Sequence, residues 1–163
     1  MKKKLLFLGI ISVALVILLA GCGAEVENPT ISESVTADID ATEEEIEQKA
    51  YSQVTPTSDE GKEAIQDLEL YSDSTKIVFA NGQTKMVFTY NGDEITGYMV
   101  YIDYENATTA AYALTLIDGE DDSIEKAYVS GNYLVIEYAK SEYENLTVDD
   151  VRRAYSYLKE ATK

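Results

Sequence analysis

From Lys76 onward, apolar and polar positions alternate with a period of two, the pattern of half-buried strands. Ile77-Val78-Phe79 and Met86-Val87-Phe88 flank Asn81-Gly82, and a second pair, Asn91-Gly92, precedes the long run from Ile95 to Tyr104. Asn-Gly supplies the positive φ angles of a type I′ turn, so residues 76–104 are predicted to form a three-stranded antiparallel meander. Tyr98, Val100, Ile102 and Tyr104 share one face of the third strand, as Met86, Phe88 and Tyr90 do in the second. That face is the expected core side. Beyond Asn106, a natural N-cap, the period changes: Ala107, Ala110, Ala111, Leu114 and Ile117 recur at helical spacing. The helix is expected to end at Asp118-Gly119, where glycine suits a left-handed cap. Ala127-Tyr128-Val129 and Tyr133-Leu134-Val135-Ile136 follow as a second hairpin around Gly131-Asn132. Thr147 then caps a last helix with Val151, Ala154, Tyr155 and Leu158 on one stripe, Asp149 and Asp150 early, and Lys159 and Lys163 late, as the helix dipole favours. The order β-β-β-α-β-β-α predicts an α+β fold for residues 75–163, a two-layer sandwich of a mainly antiparallel sheet with both helices on one face.

Residues 22–74 are of another character. From Gly23 to Ser74, fifteen acidic residues stand against Lys49 and Lys62 alone, and the chain's two prolines, Pro29 and Pro56, both lie there. Low hydrophobicity with charge of one sign leaves too little apolar surface to offset chain entropy, which predicts an acidic tether, disordered from Gly23 to about Ala41. Two short helices fit within it: one from the capping box Thr42-Glu43-Glu44-Glu45, and one from Ser58 through Ala64, Ile65 and Leu68. With two or three apolar residues each, neither would be stable alone.

At the start of the chain, Lys2, Lys3 and Lys4 precede a 16-residue run from Leu5 to Ala20 without a charge. That is the pattern of a signal peptide, and it falls short of the roughly 20 residues a membrane-crossing helix needs. The run closes on Leu19-Ala20-Gly21-Cys22. This sequence resembles a bacterial lipoprotein lipobox, all four positions matching. The resemblance implies that Cys22 receives a diacylglyceryl group, that Leu19, Ala20 and Gly21 are read by a lipoprotein signal peptidase, and that residues 1–21 are removed. The product would be a lipid-anchored, often palmitoylated protein on the extracytoplasmic face of the cell membrane. The layout of lipobox, acidic tether and compact module is similar to that of the small lipoproteins of Gram-positive bacteria.

Composition narrows the chemistry. The 163 residues hold 13 Lys plus Arg, 30 Asp plus Glu, no His, no Trp and one Cys, for a formal charge of −17. Without histidine there is no Ser-His-Asp or Cys-His catalysis and no imidazole metal site. A lone cysteine allows neither an internal disulfide nor a thiolate cluster. The acidic balance argues against nucleic acid, which binds through clustered Lys and Arg.

Twelve of the thirteen tyrosines lie from Tyr71 onward. With the even-numbered rings of the third strand turned to the core, Met99, Tyr101, Tyr133 and Val135 are expected on the opposite face. There they form a candidate contact surface for an envelope protein or glycan. Asp118, Glu120 and Asp122 sit in an acidic loop with oxygen enough for a cation. The loop departs from the EF-hand pattern, with Ser123 and Val129 where glycine and glutamate belong. Ser123-Ile124-Glu125-Lys126 has the Ser-x-x-Lys spacing of penicillin-binding enzymes but runs into a strand rather than a helix. Asn106-Ala107-Thr108 and Asn145-Leu146-Thr147 match the glycosylation acceptor pattern, yet both asparagines have simpler work near helix starts. The resulting expectation is a non-enzymatic, membrane-anchored binding module without a cofactor. The alternative is a small hydrolase or divalent-metal-dependent enzyme of the envelope.

Overall fold

A computed structural model describes residues 59–117, 119 and 121–163. The lipobox, the helix expected at Thr42 and the Ser58 cap lie outside the described residues. The fold is α+β, and the described chain divides into two units, Leu68–Val151 and a helical unit that joins residues 59–67 to Arg152–Lys163.

The larger unit is built on six antiparallel strands: β1 (Glu69–Ser72), β2 (Lys76–Asn81), β3 (Thr84–Asn91), β4 (Glu94–Asp103), β5 (Ile124–Ser130) and β6 (Tyr133–Tyr138), in the order β1-β2-β3-β4-β6-β5. β1 was not expected; its four residues fall in what the sequence assigns to the tether. They pair with β2 from Glu69↔Ala80 to Ser72↔Ile77, so the fold begins before residue 75. An edge strand with one half-buried residue, Leu70, carries no alternation by which to recognise it.

Both Asn-Gly sites form hairpins, but not with the expected turn. Asn81 pairs with Thr84 and Asn91 with Glu94, so each asparagine ends a strand and each glycine opens a two-residue loop. Among the described residues none but glycine has positive φ, which excludes type I′; Gly92 at φ 63° and Gly131 at φ 61° fit type II′, with glycine first of the two loop residues. At Gly82 no positive φ is required; the Asn81 side chain instead accepts the Thr84 N–H at 3.1 Å.

Between β4 and β5 runs α2 (Ala107–Leu114), in our numbering of helices that begins with α1 (Asp59–Gln66) and ends with α3 (Val148–Ala161). Asn106 caps α2 by accepting the Thr109 N–H at 2.9 Å. The helix stops four residues short of Asp118-Gly119: Thr115 closes it in right-handed conformation, and Thr115, Leu116 and Ile117 donate to carbonyls three residues back. The Thr115 hydroxyl also bonds the Tyr112 carbonyl, so a tightened last turn does the work a glycine cap would do. β4 and β5 are parallel, with β6 between them. The right-handed preference of such crossovers carries α2 over the face of Tyr98, Val100 and Ile102.

The period-two prediction holds for the core except at two strand ends, where Tyr90, beyond a register shift after Thr89, and Tyr104 are only half-buried. Ile77, Phe79, Met86, Phe88, Tyr98, Val100, Ile102, Leu134, Ile136 and Tyr138 are all buried on one face. Register places Phe88 opposite Tyr98, and the pairing of Met99 with Glu137 puts Tyr98 beside Tyr138. The three rings stack, Phe88 on Tyr98 at 4.5 Å and Tyr98 on Tyr138 at 4.4 Å between centroids, with Phe79 tilted against Phe88 at 5.5 Å. Such pairs contribute about 0.5–1.5 kcal/mol each beyond the area they bury. The ladder has a cost at one end. The hydroxyls of Tyr98 and Tyr138 are buried without a hydrogen-bond partner among the described residues, which costs on the order of 1–3 kcal/mol for each group left unpaired.

In the helical unit, Gln66 at the end of α1 donates from Nε2 to the Thr162 hydroxyl at 2.5 Å and to the Lys159 carbonyl at 3.3 Å. The Lys159 ammonium in turn donates to the carbonyls of Ile65, at 3.3 Å, and Gln66. Thr147 caps α3 reciprocally: its hydroxyl and N–H bond the Asp150 carboxylate at 2.8 and 2.9 Å, and the Asp150 N–H donates back to the hydroxyl. None of the described helices is long and apolar enough to cross a membrane.

Candidate functional site

Opposite the aromatic ladder, the sheet presents its second face. The register aligns Lys85, Tyr101, Val135 and Tyr128 in one row across β3, β4, β6 and β5, and Val87, Met99, Glu137 and Lys126 in the next. Tyr133 joins them beside Asp103. The four residues expected here from the strand period, Met99, Tyr101, Tyr133 and Val135, therefore do share one face. They differ in what they offer. Tyr133 is 36% exposed and Met99 and Tyr101 half-buried, whereas Val135 is 1% exposed. Val135 is thus a sealed floor rather than a contact residue. Its neighbours in register on either side are Tyr101 and Tyr128, both larger than valine.

The rings around that floor are held in place. Tyr101 donates its hydroxyl to the Met99 sulfur at 3.6 Å. The Tyr128 hydroxyl is hydrogen-bonded to Glu137, which holds the phenol above its ordinary range, with desolvation, the Glu137 charge and the Tyr101 hydroxyl adding to the effect. The Lys126 ammonium stands 4.7 Å from the centre of the Tyr128 ring, a cation–π contact. Tyr128, Glu137 and Lys126 were not among the residues the sequence reading placed on this face. The signal was present: a two-residue loop at Gly131-Asn132 sets Ser130 opposite Tyr133 and so Tyr128 opposite Val135. Lys126, two residues before Tyr128, follows onto the same face by the same period, and the bulge between Ile124 and Lys126 lies beyond it.

The acidic loop is described only in part. Asp118 and Glu120 lie outside the described residues, and Asp122 is exposed. Among the described residues, no group of three or more His, Cys, Asp or Glu is placed to hold a metal ion. Asp121 instead organises the turn, its Oδ1 accepting the Ser123 N–H at 2.9 Å. Ser123 precedes β5 and Lys126 stands within it, so the Ser-x-x-Lys pair lacks the helix its chemistry needs.

A second polar group lies at the ladder's hydroxyl end. Burial, the neighbouring Tyr138 hydroxyl and the Glu142 carboxylate push the Tyr98 phenol well up. Burial together with Asp121 and Glu142 does the same to Tyr138. Glu142 is itself held above the usual carboxylate range, chiefly by burial and also by Asp121, against a hydrogen bond from Ser141 that lowers it. No lysine or arginine is among the groups that shift these three. No protein-family profile, curated protein or solved structure matches the chain.

Proposed function

We propose that this chain is a membrane-anchored, extracytoplasmic lipoprotein whose α+β domain is a non-enzymatic module that binds an envelope glycan on its open sheet face. The anchor rests on Leu19-Ala20-Gly21-Cys22 behind a short apolar run with a basic start. The single observation supporting the binding surface is the set of tyrosines, Tyr101, Tyr128 and Tyr133, arrayed around the sealed Val135. Rings with fixed hydroxyls and carboxylates between them suit a sugar, whose faces are apolar and whose rim is polar. A protein interface of ordinary size would call for a larger exposed apolar centre than this face carries. Its charges also balance locally, Lys85 and Lys126 against Asp103 and Glu137, in a chain of −17, which suits a neutral ligand.

The test is retention of the full chain on purified Gram-positive cell-wall polysaccharide. Tyr101→Ala combined with Tyr133→Ala is expected to abolish retention, and Tyr133→Ala alone to weaken it about tenfold with the melting temperature nearly unchanged. Undiminished retention by both variants would refute the face as the site. Loss of retention to the glycan by the wild type, with capture of an envelope protein that Tyr133→Ala weakens, would replace the glycan by a protein partner.

A further inference from the structure

We propose that β5 is the seam of a symmetric dimer, pairing antiparallel with β5 of a second copy of this chain about a two-fold axis at Tyr128. The strand is 7 residues long, stands at one end of the sheet and is paired only with β6 among the described residues. A row of unpaired backbone groups of that length is a template for another strand. Which groups face outward follows from the hairpin. Ser130 and Tyr133 flank a two-residue loop and so exchange both backbone bonds, as do Tyr128 and Val135 two positions on. The N–H and C=O groups of Ala127 and Val129 therefore point away from β6, and no turn or loop bond among the described residues takes them up. Little blunts this edge. The strand holds no proline, its bulge lies before Lys126, and the Lys126 ammonium is engaged 4.7 Å from the ring centre of Tyr128 on the same strand.

The occupant is a second copy because the strand complements itself in one register. Ala127 and Val129 are both used in full only when Ala127 of each copy meets Val129 of the other, which centres the axis on Tyr128. A shift either way sets Val129 against Glu125 beside the bulge, or Ala127 against Gly131 in the loop. In the centred register Lys126 lies opposite Ser130 and Tyr128 opposite Tyr128, so no like charges face each other. Glu125 and Lys126 leave the strand itself neutral in a chain of −17. The other edge fails the same test. There the Asp73 N–H bonds the Lys76 carbonyl at 3.0 Å, so Leu70 and Ser72 of β1 point outward, and an axis at Tyr71 would set Glu69 against Asp73 of the second copy. Residues facing one another across antiparallel strands share a side of the sheet, so the seam brings Tyr128 of the second copy onto the face that carries Tyr101, Tyr128 and Tyr133. On the glycan reading, and resting on it, two binding faces become one continuous surface.

The experiment is disulfide trapping of the full chain in detergent, in a Cys22→Ser background that removes the lone cysteine. Facing residues whose own backbone bonds turn inward lie about 4.5 Å apart between Cα atoms, within the span of a disulfide. Tyr128→Cys is therefore expected to give a covalent dimer in nearly full yield under mild oxidation. Lys126→Cys alone should give almost none, whereas Lys126→Cys mixed with Ser130→Cys should give the mixed dimer. Val129→Pro removes an outward N–H and no bond to β6, so added to Tyr128→Cys it should abolish trapping while the far-ultraviolet dichroism of the sheet is kept. Trapping of Lys126→Cys alone as readily as Tyr128→Cys, or no trapping of Tyr128→Cys, would overturn the seam. Wild-type chain that fails to be retained on glycan, with trapping at Tyr128→Cys intact, would remove the glycan reading and leave the dimer; retained chain with no trapping would do the reverse.

Discussion

At the level of single residues, the hairpin glycines separate what a dipeptide specifies from what it leaves open. Asn81-Gly82 and Asn91-Gly92 are identical as sequence, yet only Gly92 takes positive φ. Adding a Cβ at either position meets no atom within 4 Å, so the difference between them is one of backbone conformation alone. Gly92→Ala is therefore expected to cost about 1–2 kcal/mol, and Gly82→Ala close to nothing, measured by urea denaturation. The hairpins themselves were legible because Asn-Gly between apolar runs demands a reversal. The turn type was not, because it depends on which residue the register leaves unpaired, and that is decided by packing along the whole strand. The same limit applies to Val135, whose facing was readable from period two but whose complete burial depends on side chains two strands apart.

Among the elements, α1 and α3 show how a weak helix is fixed. The stretch from Ser58 was readable as a helix from Ala64, Ile65 and Leu68, but not as one with a partner. Lys159, read from sequence as a charge favouring its own helix dipole, instead sends its ammonium to the last carbonyls of α1. Those carbonyls have no partner inside α1, so a cation there satisfies them and opposes the negative end of that helix. Lys159→Met keeps the aliphatic stem and removes the donor. It is expected to speed amide exchange in α1 by roughly tenfold, about 1.4 kcal/mol of local stability, while amides of β3 and β4 keep their rates. Equal acceleration throughout would show that the contact supports the fold as a whole rather than α1. β1, by contrast, was illegible in principle: an exposed edge strand of four residues inside an acidic stretch differs from tether only in what it pairs with.

For the molecule as a whole, charge and anchoring are separate properties. Of the formal −17, residues 23–74 carry fifteen acids against two lysines, whereas residues 75–163 carry fifteen acids against eight basic residues. The acidity is thus concentrated ahead of residue 75, and on the proposed reading like charges there repel one another and anionic headgroups. On the proposed reading the membrane is held by lipid alone, two acyl chains at ~0.8 kcal/mol per buried methylene giving firm attachment. Cys22→Ser is then expected to leave a full-length precursor that incorporates no labelled palmitate, read by gel shift and radiolabelling; a cleaved and labelled Cys22→Ser product would refute lipidation at that residue. The fold class was recoverable from the sequence because two hairpins and two amphipathic helices each declare themselves locally.

The stacked ladder has one more consequence, and it is optical. A chain without tryptophan absorbs and emits in the near ultraviolet through its tyrosines, and here two of them are locked face to face 4.4 Å apart across the seam of β4 and β6. Rings so close and so nearly parallel couple their transitions, so the near-ultraviolet dichroism of this protein becomes a built-in gauge of that seam, sensitive to anything that separates Tyr98 from Tyr138.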